Sequence, residues 1–213
     1  MGTIKQGILG GFSGTVGTVI GASWKGIDYM RSRATSVSNP NTPAQVQNRA
    51  KFAAIVKFLQ PLTAFLRVGF KSQAIKKSGF NVAMALNFKS AITGTYPAFD
   101  IDYSKVTVSQ GKLPGALNPA NVAVIGGNVG FTWDDNTWET DATANDQAVL
   151  VVYNPAKQAA VSVIGAITRA VGSQTVTLPD SFTGDEVQCY IAFTNANQSV
   201  ISNSQYVSGL IIT

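Results

Sequence analysis

The residue types that most often carry out catalysis or bind metal ions are scarce in this sequence. It contains no histidine and a single cysteine, Cys189. Without histidine there is no common general base, no common zinc ligand and no Ser-His or Cys-His pair. We expect Cys189, which lies between Gln188 and Tyr190, to be a small buried residue of a strand. No catalytic residue is predicted, and we expect a protein that is not an enzyme.

Carboxylates form two groups in the second half of the chain. One loop contains Asp134, Asp135, Glu139, Asp141 and Asp146, and another contains Asp180, Asp185 and Glu186. Calcium binds several carboxylates on an irregular loop, but the D-x-[DN]-x-[DN]-G pattern is missing. A glycosidase pair would need a cleft that raises the pKa of one carboxyl group. We predict no metal and no cofactor, and interpret both groups as acidic surface loops that complement a basic partner surface.

The glycines near the N-terminus do not fit a nucleotide-binding loop. Gly11, Gly14 and Gly17 are each three residues apart. This spacing differs from G-x-G-x-x-G, and no Gly-Lys-Ser/Thr ending follows. Phosphate binding also needs a helix N-terminus after the loop, whereas the following residues are typical of a strand. Glycine here indicates bulges, or places where another backbone comes close.

Charge is divided unequally along the chain. Residues 1–99 contain twelve Lys or Arg and one acid, Asp28, which gives +11, and residues 100–213 contain four bases and ten acids, which gives −6; together they make the net +5. Such asymmetry favours either a polyanionic partner or head-to-tail contact between copies of the chain. The alternative is a basic half whose lysines are simply solvated.

Residues 1–38 are predicted to form a glycine-rich β-arm or hairpin. Residues 6–24 carry no charge, but their glycines dilute the hydrophobicity that a membrane span or signal peptide needs. We expect strands on either side of a turn at Lys25 and Gly26. Because successive side chains of a strand point to opposite faces, every second residue of this segment is expected on one apolar face. The predicted assembly arm contains Ile8, Phe12, Val16, Ile20, Trp24 and Tyr29.

Residues 39–94 are predicted to be helical, and the first helix organises the chain. Thr42 is placed to cap it, with Pro43 as its first residue and Gln45 completing a capping box. Its apolar face is formed by Phe52, Ile55, Leu59, Leu62 and Leu66. A further helix is expected over 80–91, stopped by Gly94. A basic surface along the arm's end and the helices contains Arg31, Arg33, Arg49, Lys51, Lys57, Arg67, Lys71, Lys76 and Lys77.

After a linker at 95–103, residues 104–213 are predicted to form a β-sandwich. Strands are expected at 106–109, 129–133, 148–153, 161–164, 175–178, 187–194 and 204–212, separated by turn residues. Trp133 is placed to pack between the sheets, and Tyr190 to form a tyrosine corner. This pattern resembles the fibronectin type III domain. The predicted fold class is therefore α+β: a β-arm and a helical segment, followed by an Ig- or fibronectin III-like sandwich.

Two wider resemblances bear on function. Over nearly its full length the chain resembles an uncharacterised protein family of Bacteroidota genomes and their mobile elements, through segments such as Gly10-Gly11-Phe12-Ser13-Gly14, Trp24-Lys25-Gly26-Ile27-Asp28-Tyr29 and Val151-Val152-Tyr153-Asn154-Pro155. That resemblance implies no established activity. A shorter segment, Asn39-Pro40-x-Thr42-Pro43-x-Gln45 followed by Arg49 and Phe52, is similar to one in phage and prophage virion-associated proteins, where it joins a β-arm to a helix.

We therefore expect a structural, self-assembling subunit of a phage virion or virus-like particle with an exposed Ig-like domain. It would be made in the cytoplasm, and its partners would be copies of itself and other particle proteins, joined by strand addition through the arm. A second hypothesis is a nucleic-acid-binding protein whose basic half contacts phosphates without sequence preference. A third is a cell-surface adhesion module, which needs an export signal that this N-terminus does not show.

Overall fold

The computed structural model describes residues 2–4, 7, 10–36 and 39–213. Within them the chain divides into two compact units, residues 1–45 and 46–213. The first contains the arm. The second contains helices together with three β-sheets, of four, three and two strands.

The arm forms one antiparallel sheet of four strands in the order β1-β2-β3-β4. The strands are β1 (Thr3–Ile4), β2 (Phe12–Val16), β3 (Val19–Trp24) and β4 (Ile27–Ser32). As predicted, β3 turns into β4 at Lys25 and Gly26, whose φ angles of 48° and 81° both lie in the left-handed region. Two such residues make the type I′ turn that suits a two-residue hairpin.

Three helices follow: α1 (Pro43–Leu59), α2 (Thr63–Gly69) and α3 (Gly79–Ser90). The predicted cap is confirmed, because the Gln45 N–H donates to the Thr42 hydroxyl over 3.4 Å. Pro61 lies in the 3₁₀ turn Gln60–Leu62 that joins α1 to α2. This position fits a residue that cannot donate a helical hydrogen bond.

The predicted apolar face of the first helix is buried except at one end. Ile55, Leu59, Leu62 and Leu66 are at most 1% exposed, whereas Phe52 is 54% exposed. The helical stretch Pro43–Gly69 is long and apolar enough to cross a membrane by length and composition. Its buried side chains belong to a core that also includes strand residues of the same unit.

The segment predicted as a linker, 95–103, is instead part of a packed hairpin. Strands β5 (Ile92–Thr95) and β6 (Ala98–Ile101) pair antiparallel directly after α3. Gly94, predicted to stop the helix, lies within β5 and has a φ of 82°. A 3₁₀ turn at Tyr103–Lys105 leads on from the hairpin.

Seven strands form the predicted Ig-like sandwich. They are β7 (Leu117–Val124), β8 (Asn128–Asp134), β9 (Gln147–Asn154), β10 (Ala159–Thr168), β11 (Ser173–Thr177), β12 (Glu186–Thr194) and β13 (Gln205–Ile211). Their order is β11-β8-β7 in one antiparallel sheet and β10-β9-β12-β13 in the other. This arrangement confirms the α+β class with a fibronectin III-like sandwich.

The four-stranded sheet is buried on both faces. Along β9, Leu150 and Val152 face the three-stranded sheet, whereas Val149, Val151 and Tyr153 face the helices. Residues 46–213 therefore have three layers: helices, a four-stranded sheet and a three-stranded sheet. Two-sided burial explains why 148–153 is a continuous apolar run rather than an alternating one.

Two of the three singled-out sandwich residues lie where the sequence predicts. Trp133 packs between the sheets, 4% exposed, with its ring 5.6 Å from that of Phe193. Cys189 is fully buried, and burial raises the pKa of its thiol to about 11. The predicted tyrosine corner is wrong. Tyr190 lies on the helix side of β12 and donates its hydroxyl hydrogen bond to the Tyr103 carbonyl over 2.9 Å.

The first sandwich strand was predicted at 106–109, but that segment is not a strand. Its backbone is bound by side chains and by the Ser204 N–H, which donates to the Ser109 carbonyl over 3.0 Å, instead of by a neighbouring strand. The buried Asn87 on α3 donates to the Thr107 carbonyl over 2.8 Å and accepts the Thr107 N–H over 2.8 Å. The Ser204 hydroxyl accepts the Val108 N–H over 3.0 Å. Asn87 thereby joins the helical layer to the segment that enters the sandwich.

Replacing the buried Asn87 with alanine should lower the free energy of unfolding by about 2–4 kcal/mol, because it leaves the N–H and the carbonyl of the half-buried Thr107 without partners. Urea unfolding followed by tryptophan fluorescence measures the change. Ser90→Ala, at an exposed position of the same helix, is the matched control and should stay within about 0.5 kcal/mol of the parent. Equal unfolding midpoints for Asn87→Ala and the parent would show that this clamp does not join the layers.

Candidate assembly interface

Strand pairing in the arm assigns the paired side chains to one of two faces. Directly opposite residues point to the same side of a sheet, and Trp24 pairs with Ile27 while Ala22 pairs with Tyr29. The face that carries them, the tryptophan face, contains Ser13, Thr15, Ile20, Ala22, Trp24, Ile27, Tyr29 and Arg31. The other, the methionine face, contains Ile4, Phe12, Val16, Val19, Asp28 and Met30.

Large apolar side chains are exposed on both faces of this sheet. On the tryptophan face, Trp24 is 55% and Tyr29 46% exposed. On the methionine face, Ile4 is 54%, Val16 56% and Met30 71% exposed. A sheet of this size normally buries one face against another layer of structure. Exposed apolar surface on both sides is typical of a segment that other molecules cover.

The prediction that the arm residues share one apolar face is wrong. Phe12 and Val16 lie on the methionine face, whereas Ile20, Trp24 and Tyr29 lie on the tryptophan face. The reason is an additional turn at residues 17–18, where Gly17 has a φ of 58°. This turn pairs even-numbered with odd-numbered residues, as in Thr15 with Ile20. Ile8, also assigned to the assembly arm, lies outside the described residues.

The basic residues are spread over the arm, two helices and the segment between α2 and α3. Arg31 lies on β4 and Arg33 just after it; Arg49, Lys51 and Lys57 lie on α1, Arg67 on α2, and Lys71, Lys76 and Lys77 between α2 and α3. Lys51 is half-buried, and its ammonium lies 5.1 Å from the centre of the Phe99 ring. Lys57, Arg67, Lys71 and Lys76 are exposed. Phosphate contact by this set stays a prediction.

The acidic loops lie at opposite ends of the sandwich. Asp134 is the last residue of β8, and Asp135, Glu139 and Asp141 follow it. Asp180, Asp185 and Glu186 follow the end of β11. Because β8 and β11 are antiparallel, with Ser173 beside Thr132 and Thr177 beside Asn128, their ends point in opposite directions. Asp185 is half-buried and lies 3.9 Å from the Lys157 ammonium. Each end of the sandwich therefore presents acidic side chains.

A fully buried arginine holds the first acidic loop in place. The Arg169 guanidinium lies 3.2 Å from the Asp146 carboxylate and donates to Asn136 over 2.5 Å. It also donates to the carbonyls of Gly115 and Pro114, over 3.0 and 2.9 Å, and stacks 3.9 Å above the Phe193 ring. Asp146 in turn accepts hydrogen bonds from Thr143. These contacts fix both ends of the loop that contains Glu139 and Asp141.

Burial lowers the pKa of Arg169, and the charge of Asp146 opposes that shift. An unpaired cation at this depth would be strongly unfavourable, so the pair depends on both members. Sequence reasoning did not single out Arg169. Its signal is a lone cation directly after the largely apolar stretch 159–168. That position is typical of a charge that must be paired inside the fold.

Three clefts described in the second unit have volumes of about 200, 520 and 360 Å³. One cleft of about 200 Å³ is lined by Lys57, Phe58, Asp100, Tyr103 and Tyr153. The rings of Phe58 and Tyr153 are packed edge to face at 4.7 Å. Burial raises the pKa of Tyr103 to about 12, which makes its hydroxyl a poor base at neutral pH. In the part of the chain that the structure describes, no three His, Cys, Asp or Glu side chains are grouped to bind a metal ion.

Comparison with known proteins places the chain in one family. The model of a family of unknown function, DUF6266, matches residues 11–208. No curated protein matches the chain. Among solved structures, the chain is similar to the fn3 domain of the human collagen alpha-1(XX) chain, with 16% identity and a TM-score of 0.35, over 47% of this chain and 86% of that one. The fold assignment rests on the strand order described above.

Replacing Arg169 with methionine should lower the free energy of unfolding by about 3–5 kcal/mol, because Asp146 is left as an unpaired buried charge. The double variant Arg169→Met/Asp146→Leu should lose less than the sum of the two single losses. Urea unfolding of all three variants measures the coupling. Lys112→Met, at an exposed cation, is the control. Strictly additive losses would mean that the two side chains do not depend on each other.

Proposed function

Because the chain belongs to the family of unknown function DUF6266, we propose a function from its own surfaces: it is a non-enzymatic structural subunit that assembles with copies of itself. The observation that carries this proposal is the arm sheet, whose apolar side chains are exposed on both faces. Covering that surface with a second copy removes it from water, which is the dominant favourable term in association.

The charge distribution supports contact between copies. The +11 of residues 1–99 and the −6 of residues 100–213 attract each other when unlike halves of two copies meet. Because both ends of the sandwich carry acidic side chains, the basic half of another copy could contact either end. A head-to-tail contact that does not close on itself builds a chain or lattice, whereas one that closes builds a ring. Added salt should weaken this contribution because exposed charges are screened.

A virion or virus-like particle is the assembly we propose. The support is the order of the elements: a β-arm ends at β4, and a Thr42-capped, Pro43-initiated helix follows. The same order belongs to the phage and prophage virion-associated proteins that this segment resembles. The Ig-like sandwich would then be the exposed part of the subunit, and particle proteins would be its further partners.

Two exposed tryptophans, one in the arm and one in the sandwich, allow a matched test of the proposal by substitution. Trp24 in the arm is 55% exposed and Trp138 in the sandwich is 71% exposed. Trp24→Ser should raise the dissociation constant of self-association at least about tenfold, since buried aromatic anchors carry much of an interface's energy. Trp138→Ser should change it less than about twofold. Analytical ultracentrifugation of the full chain over a concentration series measures both.

A full chain that stays monomeric at every concentration would contradict the proposal. Equal weakening by Trp24→Ser and Trp138→Ser would also contradict it, because association would not then depend on the arm. Electron microscopy of the associated protein distinguishes a closed particle from an open lattice.

A further inference from the structure

β4 is the long free edge of the arm sheet. It lies at one end of the order β1-β2-β3-β4, whereas the opposite edge is the two-residue strand β1. All six residues of β4 are exposed. Among the described residues, β4 pairs only with β3. An exposed edge of this length is a template for pairing with another strand.

The hairpin geometry shows which backbone groups of β4 face outward. In an antiparallel pair, hydrogen-bonded and non-hydrogen-bonded residue pairs alternate. The Arg33 N–H donates to the Thr18 carbonyl over 2.6 Å, so residue 33 belongs to the set bonded to β3. Alternation then assigns residues 27, 29 and 31 to the same set. The N–H and C=O groups of Asp28, Met30 and Ser32 face away from β3.

We propose that β4 pairs antiparallel with β4 of a second copy, about a two-fold axis at Met30, and so joins two arm sheets into one. This inference rests on the proposed self-assembly and adds an edge contact to the covering of the arm's apolar faces. A two-fold axis perpendicular to the sheet pairs residues of the same face. It sets Met30 opposite Met30 of the second copy, and Asp28 opposite its Ser32.

Charge selects the antiparallel orientation. β4 contains one acid, Asp28, and one base, Arg31. An in-register parallel pair would set Asp28 beside Asp28 and Arg31 beside Arg31, and like charges directly opposite each other destabilise a sheet. Antiparallel pairing about Met30 moves the two Asp28 carboxylates apart and likewise the two Arg31 guanidinium groups.

The number of backbone hydrogen bonds selects the register. An axis at Met30 brings the outward groups of Asp28, Met30 and Ser32 together with those of the second copy. An axis at Tyr29 would engage only Asp28 and Met30 within the strand. With the axis at Met30, Tyr29 faces Arg31 of the second copy in a non-hydrogen-bonded pair, where side chains are closest. A guanidinium over a tyrosine ring adds a cation–π attraction on the tryptophan face.

Disulfide trapping in the full chain tests the pairing position by position. Single cysteines replace Asp28, Tyr29, Met30, Arg31 or Ser32, and the proteins are oxidised with diamide at concentrations where they associate. The parent chain is the control, because its Cys189 is fully buried. Opposite residues in an antiparallel pair have Cα atoms about 4.5–5.5 Å apart, within disulfide range.

Met30→Cys should form a covalent dimer at least about tenfold faster than Asp28→Cys or Ser32→Cys alone, since four residues of strand separate like positions by about 13 Å. A mixture of Asp28→Cys and Ser32→Cys chains should form the mixed dimer. A maximum at Tyr29→Cys would overturn this register, and equal self-crosslinking at 28, 30 and 32 would overturn the antiparallel orientation.

The failure of this inference is distinguishable from the failure of the proposed function. Oligomers in the ultracentrifuge without any crosslink along β4 would overturn edge pairing but leave self-assembly standing. A chain that neither crosslinks nor associates would overturn both.

Discussion

Apolar side chains must be covered, and this constraint divides the molecule into a part that meets it alone and a part that does not. In residues 46–213, helices cover one face of the four-stranded sheet and a second sheet covers the other. β9 is therefore buried along almost its whole length. The arm sheet has four short strands and large apolar side chains exposed on both faces. We propose that copies of the chain cover this surface.

Much of the fold followed from local patterns. The Thr42 cap, the apolar spacing of the first helix and the position of Trp133 late in a strand are short-range signals, and the cap, the buried helix face and the packing of Trp133 between the sheets were each confirmed. The first sandwich strand was missed because β7 contains Pro119, which is tolerated in this edge strand but argues against a strand in sequence. The segment 106–109 has strand-like residues, yet the Asn87 side chain takes the place of a neighbouring strand.

Only part of the candidate interface was predicted. The face on which a strand's side chains lie depends on where the turns before it fall. The turn at Lys25 and Gly26 was visible, whereas the turn after Val16 was read as part of a continuous strand, and it moved half of the arm's apolar residues to the other face. The prediction for Tyr190 failed for a similar reason. Alternation along β12 points this side chain toward the helices, and the sequence did not show that helices pack against that sheet. Arg169 was missed because a buried ion pair joins residues far apart in sequence.

Amide hydrogen exchange of the full chain at low and high concentration tests the central claim most directly. If a second copy completes the arm, the outward-facing amides of Asp28, Met30 and Ser32 should exchange at least about tenfold more slowly as association proceeds. Core amides of residues 46–213 should exchange at a constant rate. Protection of β4 that is already complete in the monomer, and independent of concentration, would contradict the account.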